Sequence, residues 1–266
     1  MTETKKAILV VSFGTSYRET REQTIGAIEQ TIAETFPDYE MRRAFTSQKI
    51  IRKLKNRDGE EIDNVVEALE RLKADGFENV ILQPTHVMSG YEYEDMQEEI
   101  APYREHFTSF TCGKPLLSGP RDYEQMVEIL TEDNAWRQEP RTAVVYLGHG
   151  TGHAAGAVYA TLEDSFRAAG HFHDYIGTVE GTPSLKDLIR TVKEGDYDHV
   201  VLLPLMIVAG DHACRDMAGD EEDSWKMAFL AEGYRVTCIL KGLGEYPGVR
   251  QLFADHAEAA KMQLEQ

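Results

Sequence analysis

The sequence has few cysteines, and those it has form no recognisable pattern. Three occur among 266 residues, at Cys112, Cys214 and Cys238, and no CxxC pair is present. A disulfide framework needs paired cysteines, and a zinc ribbon needs closely spaced cysteine pairs. The sequence therefore excludes a fold that is held together by disulfides or by a zinc ribbon.

Long apolar runs and an excess of positive charge are also missing. No run approaches the roughly 18–20 apolar residues of a membrane span, and the start of the chain is less apolar than a signal peptide. The net charge of −18 disfavours a general binding surface for nucleic acid or for an anionic membrane. We therefore expect a cytoplasmic protein with neither partner, in which local donors must bind any anionic ligand.

Short apolar runs alternate with amphipathic segments along the whole chain. This alternation is typical of βαβ units and predicts parallel sheets whose right-handed crossovers put helices on both faces. The predicted strands are 7–11, 40–44, 80–83, 109–112, 143–147, 175–179, 200–204 and 236–240. The predicted helices are 18–35, 62–75, 122–131, 159–169, 185–193 and 249–266.

An internal repeat indicates that the chain has two similar halves. Residues 7–15 (AILVVSFGT) align with 143–151 (AVVYLGHGT), and residues 79–90 align with 199–210 in the same order. The α/β fold class that follows has two similar doubly wound parallel-sheet lobes facing a central cleft.

The boundary between the two lobes is predicted in the polar stretch EDNAWRQEPR. The N-terminal lobe would then comprise residues 1–135 and the C-terminal lobe residues 136–266. The last helix, about 249–266, is compatible with packing back on the first lobe.

Three strands of the second half each end in a side chain that can bind a metal ion. His149, Glu180 and His212 follow consecutive strands, each beside a glycine. Ligands bind outside the carboxyl ends of parallel strands, and two imidazoles with a carboxylate suit Co²⁺, Fe²⁺, Ni²⁺ or Zn²⁺. The alternative is that these are ordinary solvated loop residues, since a single histidine after a strand usually is.

The first half has candidates at the corresponding edge. Glu92 occupies the repeat position of His212, so it is a candidate for proton transfer across the cleft, and His86 is a candidate for lining it. The alternative for Glu92 is that it only complements the positive end of a helix dipole.

Two glycine loops could bind an anion. Free amides of the strand–turn–helix at Ser12, Gly14 and Thr15 could bind a carboxylate or phosphate, although helix capping by Thr15 or Ser16 explains the same residues. Residues 150–155 also match GxGxxA, so a dinucleotide site is an alternative interpretation of this loop. Gly150 would lie near the ligand whether the loop binds a dinucleotide or another substrate. Neither loop has the lysine of a Walker motif, so nucleotide hydrolysis is disfavoured.

Five segments together resemble one known family. They are LVVSFGTSYRET, RAFTSQKIIRKL, GHGTGH, VEG and LMIVAGDHACRDMAGDEEDSWK, and they resemble the anaerobic cobalt chelatases that act on sirohydrochlorin. The resemblance covers essentially the whole chain. It implies the two-lobed ferrochelatase fold of the class II chelatases, with His149, Glu180 and His212 as metal ligands and Glu92 as the acid of the cleft.

The resemblance also implies the reaction, which is ATP-independent insertion of Co²⁺ into sirohydrochlorin on the anaerobic route to cobalamin. Cobalt is then a substrate, no tightly bound cofactor is expected, and Fe²⁺, Ni²⁺ or Zn²⁺ are alternative ions. His149 and His212 would bind the ion and accept protons. A tetrapyrrole is the expected partner, and a homo-oligomer is compatible with the sequence.

Several alternatives stay open. The substrate is expected near Ser12, Gly14, Thr15, His86 and Gly150, with Arg43, Arg52 and Lys53 as candidates for its carboxylates. Iron or nickel insertion into the same ring is one alternative function, because two histidines and a glutamate discriminate weakly between these ions. A non-catalytic carrier of metal or tetrapyrrole is another.

Overall fold

The computed structural model describes residues 4–132 and 135–264, which contain two four-stranded parallel sheets. The first sheet has the strand order β2-β1-β3-β4 and the second the order β6-β5-β7-β8. The strands are β1 Lys6–Ser12, β2 Glu40–Phe45, β3 Asn79–Pro84, β4 Ser109–Cys112, β5 Thr142–Gly148, β6 Asp174–Thr178, β7 His199–Pro204 and β8 Arg235–Cys238. All of the predicted strands are confirmed.

Helices follow each strand along the chain. They are α1 Arg18–Arg21, α2 Ala27–Thr35, α3 Gln48–Asp58, α4 Val65–Ala74, α5 Tyr91–Ile100, α6 Pro120–Leu130, α7 Ala157–Ala168, α8 Leu185–Val192, α9 Trp225–Ala231 and α10 Pro247–Leu264. In the ranges that the structure describes, no helix has both the length and the apolar character needed to cross a membrane.

Two helical predictions need correction. The helix predicted at 18–35 is interrupted by a π-helical turn at Glu22–Gly26, and α3, with five basic residues among its eleven, was not among the predicted helices. Ser47 begins α3, since its hydroxyl accepts a hydrogen bond from the Ile50 amide. Neither Thr15 nor Ser16 caps α1, which follows Tyr17 without a side-chain cap.

The central strands show why helices cover both faces of each sheet. In β1, Ala7, Leu9 and Val11 pack with the buried apolar residues of α4 and α5. Ile8 and Val10 are fully buried too and point to the opposite face, because successive side chains alternate along a strand. A strand buried on both faces must be apolar at every position, which is the pattern that the sequence shows.

The chain divides into two compact units, one of Met1–Ser118 with Pro247–Gln266 and one of Gly119–Tyr246. The division precedes the predicted position at 135/136 because α6 packs against α7 of the second unit. The last helix, α10, contacts α2, β3 and β4 of the first unit. The two units share one strand order, as the internal repeat requires.

A buried ion pair links the segment before β5 to the second sheet. The Arg137 guanidinium donates to both carboxylate oxygens of Asp174, at 2.6 and 3.1 Å, and to the hydroxyl of Tyr146 at 2.5 Å. The Asp174 side chain has no exposed surface, so this pair is shielded from solvent. It fixes the segment before β5 to the start of β6.

We predict that Asp174→Ala lowers the free energy of unfolding by about 4 kcal/mol, because it leaves the Arg137 charge buried without a partner. Urea denaturation measures the change. The control is Asp220→Ala, since the Asp220 side chain is 91% exposed in its pair with Lys226 and its loss should cost less than about 1 kcal/mol. Equal losses for the two variants would contradict the prediction.

Candidate functional site

Two histidines lie at the carboxyl edge of the second sheet, at the point where its strand order reverses. β5 pairs with β6 on one side and with β7 on the other, and such a switch point is where open α/β sheets bind ligands. His149 directly follows β5, and His212 begins a π-helical turn, His212–Met217, after β7. The Leu205 amide donates to the Leu147 carbonyl at 2.7 Å, which holds the two strand ends together.

The two imidazoles are in contact, and each has a hydrogen-bond partner at its Nδ1. Their ring centroids are 4.7 Å apart and the ring planes are nearly perpendicular, at 87°. The Nδ1 of His149 is 3.1 Å from the Gly150 carbonyl oxygen, and the Nδ1 of His212 is 2.5 Å from a carboxylate oxygen of Asp216. A carbonyl and a carboxylate only accept, so each Nδ1 carries the proton. A ring that is protonated at Nδ1 alone keeps its Nε2 lone pair for a metal ion.

Asp216 is the functional residue that the sequence analysis missed. It lies four residues after His212, within the same helical turn, and such spacing brings side chains together on one face. A histidine followed four residues later by an aspartate could have indicated the contact. Carboxylates in this position fix the ring orientation and raise the basicity of a metal-binding histidine.

Glu180 is brought near His149 through its backbone. Its amide donates to the His149 carbonyl oxygen at 2.8 Å, while the neighbouring Val179 amide donates to Gly148 at 3.0 Å. The Glu180 residue is exposed. Within residues 4–132 and 135–264, no group of three His, Cys, Asp or Glu side chains is arranged to hold a metal ion. The structure thus assembles the two imidazoles and leaves the glutamate outside that pair.

Gly150 makes the close approach of these two loops possible. Its φ of +85° lies in the left-handed region, and a Cβ atom there would be 1.7 Å from the Glu180 carbonyl oxygen. Its amide donates to the Tyr159 hydroxyl at 3.1 Å. Only glycine fits this position without displacing the β6 loop.

The rest of the glycine loop does not favour a dinucleotide. His153 Nδ1 accepts a hydrogen bond from the Ala155 amide at 3.0 Å, so this ring begins a short 3₁₀ turn, Ala154–Gly156. The adjacent cavity has a volume of about 250 Å³, below the ~300–1,000 Å³ of typical ligand pockets. That volume is small for a dinucleotide.

In the first unit, the predicted loop residues also have structural roles. The Ser12 hydroxyl accepts from Thr85 at 2.8 Å, and both residues are buried. Gly14 has a φ of +96°, and a Cβ atom there would be 2.5 Å from the Phe45 ring. Thr15 is buried, and its hydroxyl accepts from the Tyr17 amide at 3.3 Å.

Glu92 and His86 follow β3 and have contrasting surroundings. Glu92 is exposed in the first turn of α5, where the helix dipole favours an acid. Both ring nitrogens of His86 are buried without a hydrogen-bond partner, and the ring meets Tyr93 edge-on. Burial lowers the pKa of His86 to about 4, so this imidazole is neutral at neutral pH.

We predict that Gly150→Ala destabilises the protein by about 3 kcal/mol, from backbone strain and the clash with Glu180. It should also displace His149 and Glu180, which adjoin this loop, and so weaken the binding of any divalent ion that they hold. Gly152→Ala is the control, since a Cβ atom at Gly152 meets nothing within 4 Å. Urea denaturation and calorimetric Co²⁺ titration measure both effects. Indistinguishable behaviour of the two variants would show that the close approach is unimportant.

Comparison with known proteins finds relatives that match nearly the whole chain. The chain is 46% identical over 257 residues to the sirohydrochlorin cobaltochelatase of Salmonella typhimurium, and the match covers 96% of each chain. It is 34% identical over 264 residues to the sirohydrochlorin cobaltochelatase CbiKC of Nitratidesulfovibrio vulgaris, covering 98% of this chain and 93% of that one.

A solved structure shares the fold. SirB from Bacillus subtilis with Fe³⁺ superposes with a TM-score of 0.72 at 15% identity, covering 99% of this chain and 98% of that one. At this identity the likeness supports the two-lobed fold alone. The family described as Cobalt chelatase (CbiK) matches residues 6–262. Since that match and both relatives span nearly the whole sequence, the chain belongs to the cobalt chelatase (CbiK) family.

Proposed function

We propose that this protein is an enzyme that inserts Co²⁺ into sirohydrochlorin without ATP, in the anaerobic synthesis of cobalamin. The observation that carries the proposal is the imidazole pair, with centroids 4.7 Å apart and both Nδ1 atoms engaged, so that two Nε2 lone pairs are available at one sheet edge. The family and the names of two full-length relatives support the same activity.

The first role of the site is to hold the substrate ion and then release it. Neutral imidazoles suit borderline divalent ions such as Co²⁺. We propose Glu180 as the third ligand, since its backbone is hydrogen-bonded to His149 and its exposed side chain follows β6 at the same sheet edge. Three protein ligands leave coordination positions open, through which the ion can pass to the macrocycle.

The second role is to remove protons. When a metal ion enters the ring, two pyrrole nitrogens lose their protons, so bases must lie close to the substrate. His149 and His212 can accept protons once the ion has left them. Glu92 is the candidate acceptor in the first unit, because it is an exposed acid at the repeat position of His212.

The donor atoms of the proposed site do not by themselves select cobalt. Two histidines and a glutamate bind Fe²⁺ and Ni²⁺ as well as Co²⁺, so iron or nickel insertion is the alternative reaction. We assign cobalt because the family and both relatives carry that name. Comparison of initial rates with each ion, under anaerobic conditions, tests this assignment.

Absorbance spectroscopy tests the activity itself. Sirohydrochlorin mixed with Co²⁺ and a small amount of the protein should change to the spectrum of the cobalt complex over many turnovers, faster than without protein. A change that stops at one equivalent of protein would indicate a carrier. No acceleration over the free ions would overturn the proposal.

We predict that His212→Ala lowers the rate of cobalt insertion by at least about 100-fold while the fold is retained. His212 is half-exposed at a sheet edge, so its loss opens no cavity in a core. The exposed His106 supplies the control His106→Ala, which should keep the wild-type rate. Steady-state rates and circular dichroism measure the two effects, and near-normal turnover by His212→Ala would exclude it from the site.

We also predict that Asp216→Asn lowers the affinity for Co²⁺ by about 10–100-fold. The amide can donate to His212 Nδ1, which allows the ring the tautomer whose Nε2 carries a proton. The d–d absorption of bound Co²⁺ reports both the affinity and the coordination, which a merely structural role would leave unchanged. Asp220→Asn, at an exposed position, is the control. Wild-type Co²⁺ spectra and affinity in Asp216→Asn would contradict the orienting role.

A further inference from the structure

Helix α3 is strongly basic in an acidic protein. It carries Lys49, Arg52, Lys53, Lys55 and Arg57 against the single acid Asp58, while the chain as a whole has a net charge of −18. A concentration of positive charge on one helix therefore runs against the overall composition. It marks a surface where an anion would be favoured locally.

Two of these cations are neutralised by neighbours. Lys55 pairs with Glu61 at 3.0 Å, and Arg57 pairs with Asp58 at 2.6 Å while also donating to the Ser16 carbonyl. These contacts account for the basic residues at the end of the helix. They leave the first half of α3 to be explained.

The other three cations share one exposed face. Lys49, Arg52 and Lys53 lie at positions i, i+3 and i+4, which fall on one side of a helix. In the described ranges, none of the three has an ion pair, and all are exposed. Like charges at this spacing destabilise a helix, and Lys49 also opposes the positive end of the dipole. The buried Leu54 holds the opposite face to the unit.

Exposed aromatic side chains lie beside this basic face. α3 follows β2 and so begins at the carboxyl edge of the first sheet, where the Ser47 amide donates to the Phe13 carbonyl at 3.2 Å. Phe13 is 50% exposed and Tyr17 is 39% exposed. The Lys53 ammonium lies 5.9 Å from the centre of the Tyr17 ring. Cationic and aromatic groups thus adjoin at one edge.

We propose that Lys49, Arg52, Lys53, Phe13 and Tyr17 form a basic–aromatic patch that binds the tetrapyrrole substrate. The patch is complementary to a flat ring system with carboxylate arms, since cations can bind the arms and aromatic rings can contact the macrocycle. This inference rests on the proposed function and assigns the part of the site that recognises the substrate.

The cations of the patch favour a polycarboxylate ligand over an uncharged one. The protein repels a polycarboxylate at long range, so its binding needs local cations that are not already paired. Arg43, another candidate from the sequence, does not qualify, because it makes two hydrogen bonds to Glu29, at 2.7 and 2.5 Å. The three cations of α3 are available at an edge that also offers aromatic surface.

The test is the triple variant K49Q/R52Q/K53Q. We expect its Kd for metal-free sirohydrochlorin and its KM to rise about tenfold, since the variant loses three exposed ion pairs with the carboxylate arms. The rise in KM should exceed any fall in kcat, and the affinity for Co²⁺ should be unchanged. Added salt should raise the KM of the wild type more than that of the variant.

The matched control is K5Q/K73Q/K193Q, which removes the same charge from the amino edges of the two sheets. It should bind sirohydrochlorin as the wild type does. Equal weakening in both variants, or none in the first, would overturn the patch. The proposed function can fail separately: a wild type that binds sirohydrochlorin without turnover, and loses binding only in the α3 variant, would support the patch while refuting the catalytic proposal.

Discussion

The parallel pairing of β5 with β6 and β7 is the constraint on which the site depends. It brings three strand ends to one edge in fixed register, with Gly148 beside Thr178 and Leu147 beside Pro204. His149, the Glu180 backbone and the loop leading to His212 then follow within a few residues. Because the strands are buried on both faces, this geometry is supported by the core of the second unit.

The two substrates have opposite charges, so the net charge of the protein affects their binding in opposite directions. A net charge of −18 attracts a divalent cation and repels a polycarboxylate. In the proposed site, two imidazoles would hold the cation without the strong attraction of several carboxylates, which favours its release. The basic–aromatic patch would offset the repulsion of the polycarboxylate only where the macrocycle binds.

Sequence patterns predicted the features that depend on chain periodicity and failed for those that depend on side-chain partners. The strands, and hence the edge where His149 and His212 meet, follow from apolar runs and glycine positions. The hydrogen bond from His212 to Asp216 depends on the local helical turn, and the position of the Glu180 side chain depends on its rotamer. The unit boundary was placed too late because α6 packs against α7 of the second unit, and the polar stretch that follows α6 is held to the same unit by the buried pair of Arg137 with Asp174. Composition alone gives no sign of that pair.

The internal repeat explains how one architecture can supply two chemistries. Both sheets have the same strand order, and the alignment pairs Phe13 with His149 and Glu92 with His212. The glycine after each first-strand residue, Gly14 or Gly150, keeps a left-handed backbone in both. The turn is thus the same in both units, while the side chain that it presents is an imidazole in one and an exposed aromatic ring in the other. Under the proposed function, differences at these few positions would let one edge hold the metal ion and the other bind the macrocycle.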